Sequence, residues 1–127
     1  MSFTSFLSKL FGNKSQRDLK EIMPIVNKIK ALGPDMERLS NDELRDAITT
    51  VRKAIADSIT SYESANKELR AKVEELPFDQ RQPIWDEIDN NEKKILDIIE
   101  DQLNEHLPTV FAAVKETAAR FAKNETV

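Results

Sequence analysis

The chain has 127 residues, of which 33% are charged and 6% are aromatic, and its formal net charge is −4. It has no cysteine and a single histidine, which excludes disulfide bonds, thiol nucleophiles and any metal site built from several histidines. Its two glycines, Gly12 and Gly33, lie far apart in the sequence, which excludes a glycine-rich phosphate-binding loop within these residues.

The composition is rich in Glu, Lys, Leu, Ile and Ala and predicts an all-α protein, with a first short helix at residues 2–12. Apolar side chains recur in this segment at the spacing of one helix face: Phe3, Phe6, Leu7, Leu10 and Phe11. A helix this short is marginal alone in water, so it needs a surface to dock on. That surface is its own domain, an anionic membrane or a partner protein. In the last two cases Lys9, Lys14 and Arg17 would meet lipid headgroups or acidic side chains.

Charge is unevenly distributed along the chain. Residues 1–35 contain six basic and three acidic side chains, whereas residues 36–127 contain thirteen basic and twenty acidic ones. The acidic body argues against general nucleic-acid binding, which needs a concentrated basic face. The basic, apolar N-terminus suits an anionic membrane or a partner groove, with chance asymmetry of a solvated surface as the alternative. Without cysteine, export signal or a membrane-spanning apolar run, the chain is expected to be cytoplasmic.

A second helix is predicted from about Ser15 to Leu32. Pro24 lies inside it and predicts either a kink or the start of a new helix, because an interior proline removes a hydrogen bond and clashes with the preceding turn. The pair Gly33-Pro34 predicts where this helix ends.

A third helix is predicted to begin at Ser40, where Ser40-Asn41-Asp42-Glu43 forms a capping box. Its apolar residues continue at intervals of three and four, with no Gly or Pro before Pro77, which predicts one helix of about 35 residues. The Ser/Thr-rich stretch at residues 58–64 is the place where this helix would bend or break.

A fourth helix is predicted from about Asp79 to Leu107, and the short connection before it predicts an antiparallel hairpin with the third helix. Pro108 is predicted to start a fifth helix that extends to about Lys123. Trp85 is interpreted as a packing anchor and His106 as a partly exposed residue in a final helical turn. The many carboxylate pairs are interpreted as solvated surface, so no catalytic residue and no metal site are predicted.

Three stretches carry a resemblance to a known family. They are Phe6-Leu7-Ser8-Lys9-Leu10-Phe11-Gly12, the series from Val26-Asn27-Lys28-Ile29 to Met36-Glu37-Arg38-Leu39-Ser40, and Val110-Phe111-Ala112-Ala113-Val114 with the residues up to Arg120. In order and spacing they resemble SecA, the ATP-driven motor family of bacterial preprotein export. The resemblance covers residues 6–52 and 108–121, roughly half of the chain.

The resemblance implies a domain organisation. Residues 1–12 would be an amphipathic helix, residues 13–58 a SecA-like helical region, residues 59–107 a lineage-specific helical hairpin insertion, and residues 108–127 a SecA-like helix. The nucleotide-binding motifs of the family lie downstream of the last matching helix. The resemblance therefore implies an ATP-dependent parent protein that uses ATP and magnesium, whereas this stretch has no cofactor and no ATPase activity of its own.

The resemblance also implies partners. In the SecA family the N-terminal helix associates with acidic phospholipids and helps tether the motor at the SecYEG channel, and the adjacent basic region is linked to ribosome contact. The membrane- or partner-binding residues carried over to this chain are Phe3, Phe6, Leu7, Leu10, Phe11, Lys9, Lys14 and Arg17. The chain is thus expected at the inner membrane as a peripheral protein, and exposed apolar helix faces would permit self-association. The alternative is a self-contained helical adaptor that binds a protein partner through its hairpin.

Overall fold

The computed structural model describes residues 14–124 and, within that range, contains only helices and connecting turns. Helix α1 spans Lys14–Arg38, α2 spans Asn41–Glu75, a single 3-10 turn spans Phe78–Gln80, and α3 spans Gln82–Lys123. The predicted all-α fold is confirmed. The helix predicted at residues 2–12 lies outside the described residues.

Helix α1 is longer than predicted, because it continues through both Pro24 and Pro34. The prediction that Gly33-Pro34 ends this helix is wrong, and no new helix begins at Pro24. A proline removes one backbone donor, a loss that packing of the following turn can offset. Met36, two residues beyond Pro34, is buried with 7% of its surface exposed, so the additional turn of α1 places an apolar side chain in the interior.

Helix α2 confirms the capping-box prediction, since it begins at Asn41 immediately after Ser40 and runs for 35 residues. The Ser/Thr-rich stretch does not break it. The Ser58 hydroxyl donates to the Ile55 carbonyl at 2.6 Å, and the Thr60 hydroxyl donates to the Ala56 carbonyl at 2.8 Å. These hydroxyls are therefore satisfied by carbonyl oxygens of the helix itself, and the helix stays continuous through this stretch.

Helix α3 replaces two predicted helices with one of 42 residues that passes through Pro108. The predicted start of a fifth helix at Pro108 is wrong, and the predicted start of the fourth at Asp79 is displaced to Gln82. Pro108 has no backbone N–H, so the helix lacks one hydrogen bond there. Ala112 and Ala113, just beyond the proline, are each only 2% exposed, and their burial offsets this loss. His106 consequently lies in the middle of a helix and is half-buried, not in a final turn.

The helices divide into two compact units. The described part of the first consists of residues 14–40 and 108–124, and the second consists of residues 41–107. The second unit is the predicted antiparallel hairpin. Its core near the turn is formed by the buried Val73, Ile84 and Ile88, with Leu69 and Leu76 packed against them.

Polar contacts between α2 and the first part of α3 continue along the hairpin. Asn66 is buried with 6% of its surface exposed, and its Oδ1 accepts a hydrogen bond of 2.9 Å from Asn91 Nδ2. Arg70, one turn closer to the tip than Asn66 on α2, pairs with Glu92 of α3. Tyr62, one turn farther from the tip on α2, lies with its ring centre 5.8 Å from the Lys94 ammonium of α3. Among the residues that the structure describes, no buried side-chain nitrogen or oxygen lacks a hydrogen-bond partner.

Candidate interaction surfaces

The candidate sites among the described residues are exposed surfaces. Between residues 14 and 124, no group of three or more His, Cys, Asp or Glu side chains is placed to hold a metal ion. None of the helices in the same range is both long enough and apolar enough to cross a membrane. The functional candidates in this part of the chain are therefore exposed helix faces and the tip of the hairpin.

Two of the eight predicted binding residues fall within the described range. Lys14 and Arg17 lie at the start of α1, and both side chains are exposed. The other six lie outside the described residues: Phe3, Phe6, Leu7, Lys9, Leu10 and Phe11.

The first half of α1 is exposed on every side, from Lys14 to Ile25. Leu19 and Ile22 are 53% and 52% exposed, and Met23 is 40% exposed. At 3.6 residues per turn these three apolar side chains share one face of the helix, whereas Lys14 and Arg17 lie on the opposite face. The two kinds of side chain can thus engage two different surfaces at once.

The other end of α1 is held by an arginine that the sequence interpretation did not single out. Arg120, on α3 in the same unit, donates from Nη2 to the carbonyl oxygens of Leu39 at 2.6 Å and Met36 at 3.3 Å. Its Nε donates to Glu116 at 2.7 Å, and both side chains of this ion pair are largely buried. The carbonyls at a helix C-terminus lack intrahelical partners, so Arg120 acts as a side-chain cap from another helix.

The signal for this cap in the sequence was partial. Glu116 and Arg120 are four residues apart and predict an ion pair on one helix face. Nothing in the local pattern indicates that the guanidinium also reaches the end of a helix some eighty residues earlier in the chain, because that contact depends on how α1 and α3 pack.

The last part of α3 packs through its small residues and exposes its large ones. Ala112 and Ala113 are buried, and their small side chains allow close packing. Three large apolar side chains point outward instead, with more than half of their surface exposed: Phe111, Val114 and Phe121. Among residues 14–40 and 108–124 of the first unit, this face is an exposed apolar surface.

The hairpin contributes two further features. An open groove along its side is lined mainly by polar side chains: Glu63, Asn66, Lys67, Arg70, Glu92 and Ile95. At its tip, Phe78 is 89% exposed and Trp85 is 42% exposed. Trp85 was predicted to be a packing anchor; it keeps 42% of its surface exposed and is not part of the buried cluster around Ile84 and Ile88.

Comparison with known proteins gives a consistent result. The model of the SecA DEAD-like domain matches residues 7–127. Over all 127 residues the chain is 48% identical to the protein translocase subunit SecA of Parabacteroides distasonis and to that of Porphyromonas gingivalis. It is 44% identical over the same length to that of Bacteroides fragilis.

These matches run through the whole hairpin, so the relatives carry a segment that aligns with residues 59–107. The chain spans 11% of the length of the first two relatives and 12% of the third. No solved structure gives a significant match.

Proposed function

Because the chain belongs to the SecA family of protein translocase subunits, we propose that it serves as the N-terminal helical part of an ATP-driven preprotein translocase motor. The family match over residues 7–127 is the observation that carries this proposal. The relatives are much longer than this chain, so the rest of such a motor would supply the surfaces that cover the exposed apolar side chains of the first unit.

The exposed apolar face of α1 supports this role. A monomeric protein rarely leaves a contiguous apolar surface in solvent unless the surface binds something. Leu19, Ile22 and Met23 form such a surface in the first unit, and Phe111, Val114 and Phe121 add further apolar area there. We propose that these side chains pack against the remainder of the motor.

The opposite face of α1 carries the proposed tether. Lys14 and Arg17 are exposed and follow directly on the apolar, basic residues 3–11. Anionic lipids attract such juxtaposed basic side chains with about 1 kcal/mol each near the membrane surface. We propose that this segment binds the inner membrane from the cytoplasmic side as a peripheral contact, close to the SecYEG channel, and that its basic residues are also the contact for the ribosome.

The tether predicts charge-dependent binding to vesicles. The 127-residue chain should co-sediment with anionic phosphatidylglycerol vesicles at low salt. Exchanging Lys14 and Arg17 together for glutamate should weaken this binding by at least about tenfold, because two attractions of about 1 kcal/mol each are replaced by repulsions. Salt should weaken the binding of the unmodified chain as the lipid charge is screened.

The matched control is the exchange of Lys28 and Lys30 for glutamate, which changes the net charge equally at two exposed positions farther along α1. This control should retain most of the vesicle binding. If both double variants lose binding equally, or if deletion of residues 2–12 leaves binding unchanged, the tether does not lie where we propose.

We also propose that ATP and magnesium bind to the parent protein outside this chain. The two glycines are 21 positions apart and cannot form a phosphate loop. The purified chain should therefore show no ATP hydrolysis above buffer in a phosphate-release assay. Hydrolysis that persists through further purification and scales with chain concentration would contradict this proposal.

A further inference from the structure

The tip of the hairpin, defined here as residues 74–89, holds two aromatic side chains in solvent. Phe78 is 89% exposed in the 3-10 turn, and Trp85 is 42% exposed in the first turns of α3. A Phe as exposed as this one forgoes the stabilisation that burial of its ring would provide. Single exposed apolar residues are common, but two aromatic side chains at one end of a hairpin form a surface.

The backbone that carries these aromatics is held in place. The 3-10 turn is closed by the hydrogen bond from Gln80 N to Pro77 O at 3.0 Å, and Trp85 N donates to Arg81 O at 3.1 Å. The Arg81 side chain donates from Nε to the Leu76 carbonyl at 2.8 Å, across the turn. A partner would therefore meet aromatic side chains whose backbone is already ordered, which reduces the entropy lost on binding.

The same segment of the chain carries many carboxylates. The hairpin tip contains a single basic side chain and six acidic ones, and all six are exposed: Glu74, Glu75, Asp79, Asp86, Glu87 and Asp89. None of the six forms an ion pair within the part of the chain that the structure describes. The tip thus combines exposed apolar side chains with negative charges that no ion pair within the described residues neutralises.

We propose that the hairpin tip binds a basic protein segment that presents an apolar side chain among lysines or arginines. Apolar contact with Phe78 and Trp85 would supply affinity, and the carboxylates would pair with the basic side chains and steer their approach. The indole face of Trp85 also attracts cations. An anionic lipid surface or a nucleic acid would be repelled by the same carboxylates, so the charge selects a basic polypeptide.

The chain carries its own reporter for this contact, because Trp85 is its only tryptophan. The probe is a synthetic amphipathic peptide of leucine and lysine, titrated into the 127-residue chain at low salt. We expect a blue shift of the Trp85 emission on binding, and a loss of the shift as salt is added. A peptide with glutamate in place of lysine, and one with serine in place of leucine, should give no shift at matched concentrations.

Substitutions test whether the peptide that shifts the Trp85 emission binds at the hairpin tip. Phe78→Ala should weaken binding of the leucine-lysine peptide by at least about tenfold, as truncation of an aromatic anchor does. Leu96→Ala, at a 66% exposed position farther along α3, should leave the binding unchanged. Glu87→Gln with Asp89→Asn should weaken binding about threefold or more, whereas Glu100→Gln with Asp101→Asn removes equal charge from exposed sites and should have little effect.

Three results would overturn the proposal. The first is an emission shift that does not depend on the chemistry of the tip, because it is equal for the lysine and glutamate peptides or unchanged in Phe78→Ala. The second is an emission shift with neutral phosphatidylcholine vesicles that Phe78→Ala abolishes, which would make the tip a lipid contact. The third is concentration-dependent self-association in sedimentation that the same variant abolishes, which would identify a second copy as the occupant. All three are independent of vesicle binding through Lys14 and Arg17.

Discussion

Replacing Ile88 with alanine is expected to lower the free energy of unfolding by about 2–5 kcal/mol, the range for deleting a large aliphatic side chain from a packed core. Ile88 is 1% exposed and contacts the cluster of Val73 and Ile84 that joins α2 to α3 near the turn. Truncation removes apolar contacts and leaves a cavity that two long helices close only in part. Urea unfolding followed by circular dichroism measures the change.

The matched control lies on the same helix. Leu96→Ala removes a side chain of similar size at a position that is 66% exposed, and we expect it to change the unfolding free energy by no more than about 0.5 kcal/mol. Ile88→Val, which deletes one methylene, should fall between them at about 0.5–1.5 kcal/mol. Equal destabilisation by Ile88→Ala and Leu96→Ala would contradict the assignment of Ile88 to the hairpin core.

Replacing Arg120 with alanine is expected to lower the unfolding free energy by about 2–3 kcal/mol. The change removes the side-chain hydrogen bonds to the carbonyl oxygens of Met36 and Leu39 at the end of α1, although Met36 O still accepts from Leu39 N, and it leaves the largely buried Glu116 without its ion-pair partner. Hydrogen bonds that involve a charged group contribute roughly 1.5–3 kcal/mol, and an uncompensated buried charge adds to the loss. Urea unfolding gives the size of the effect.

Two further variants separate the cap from a general charge effect. Arg120→Lys should recover only part of the stability, because an ammonium cannot reproduce the fork that reaches both carbonyls and Glu116. Arg45→Ala breaks a surface pair whose arginine side chain is 79% exposed, and we expect a change below about 0.5 kcal/mol. Amide hydrogen exchange at residues 36–40 should accelerate in Arg120→Ala alone. Unchanged exchange there would argue against the cap.

Local patterns predicted α2 well, since its capping box and its uninterrupted apolar spacing are properties of neighbouring residues. The same reasoning failed at Pro34 and Pro108. A proline carries a local penalty, and burial of Met36 beyond the first and of Ala112 and Ala113 beyond the second outweighs it. That burial arises from packing between segments distant in sequence, which a local pattern does not contain.

For the candidate surfaces, too, local patterns predicted helix faces but not the packing that decides their burial. Leu19, Ile22 and Met23 have the spacing of one apolar helix face, but spacing alone does not tell whether such a face is buried or exposed. Trp85 shows the difficulty most clearly, because a lone tryptophan beside an apolar face is usually a core residue. Here the buried cluster near the turn contains Ile84 and Ile88, whereas Trp85 beside them keeps 42% of its surface exposed.

The hydrogen bond between the buried Asn66 and the half-buried Asn91 has a consequence for how the two helices of the hairpin align. Two long helices with apolar residues every three or four positions would still bury aliphatic side chains if one slid along the other by a turn. Such a slip would bring the Asn66 amide to the level of Ile88 or Ile95, whose aliphatic side chains can neither donate nor accept a hydrogen bond. Leaving a buried amide without this hydrogen bond costs about 1–3 kcal/mol of stability. The pair thus acts against sliding: it makes the observed alignment the one in which both amides are satisfied.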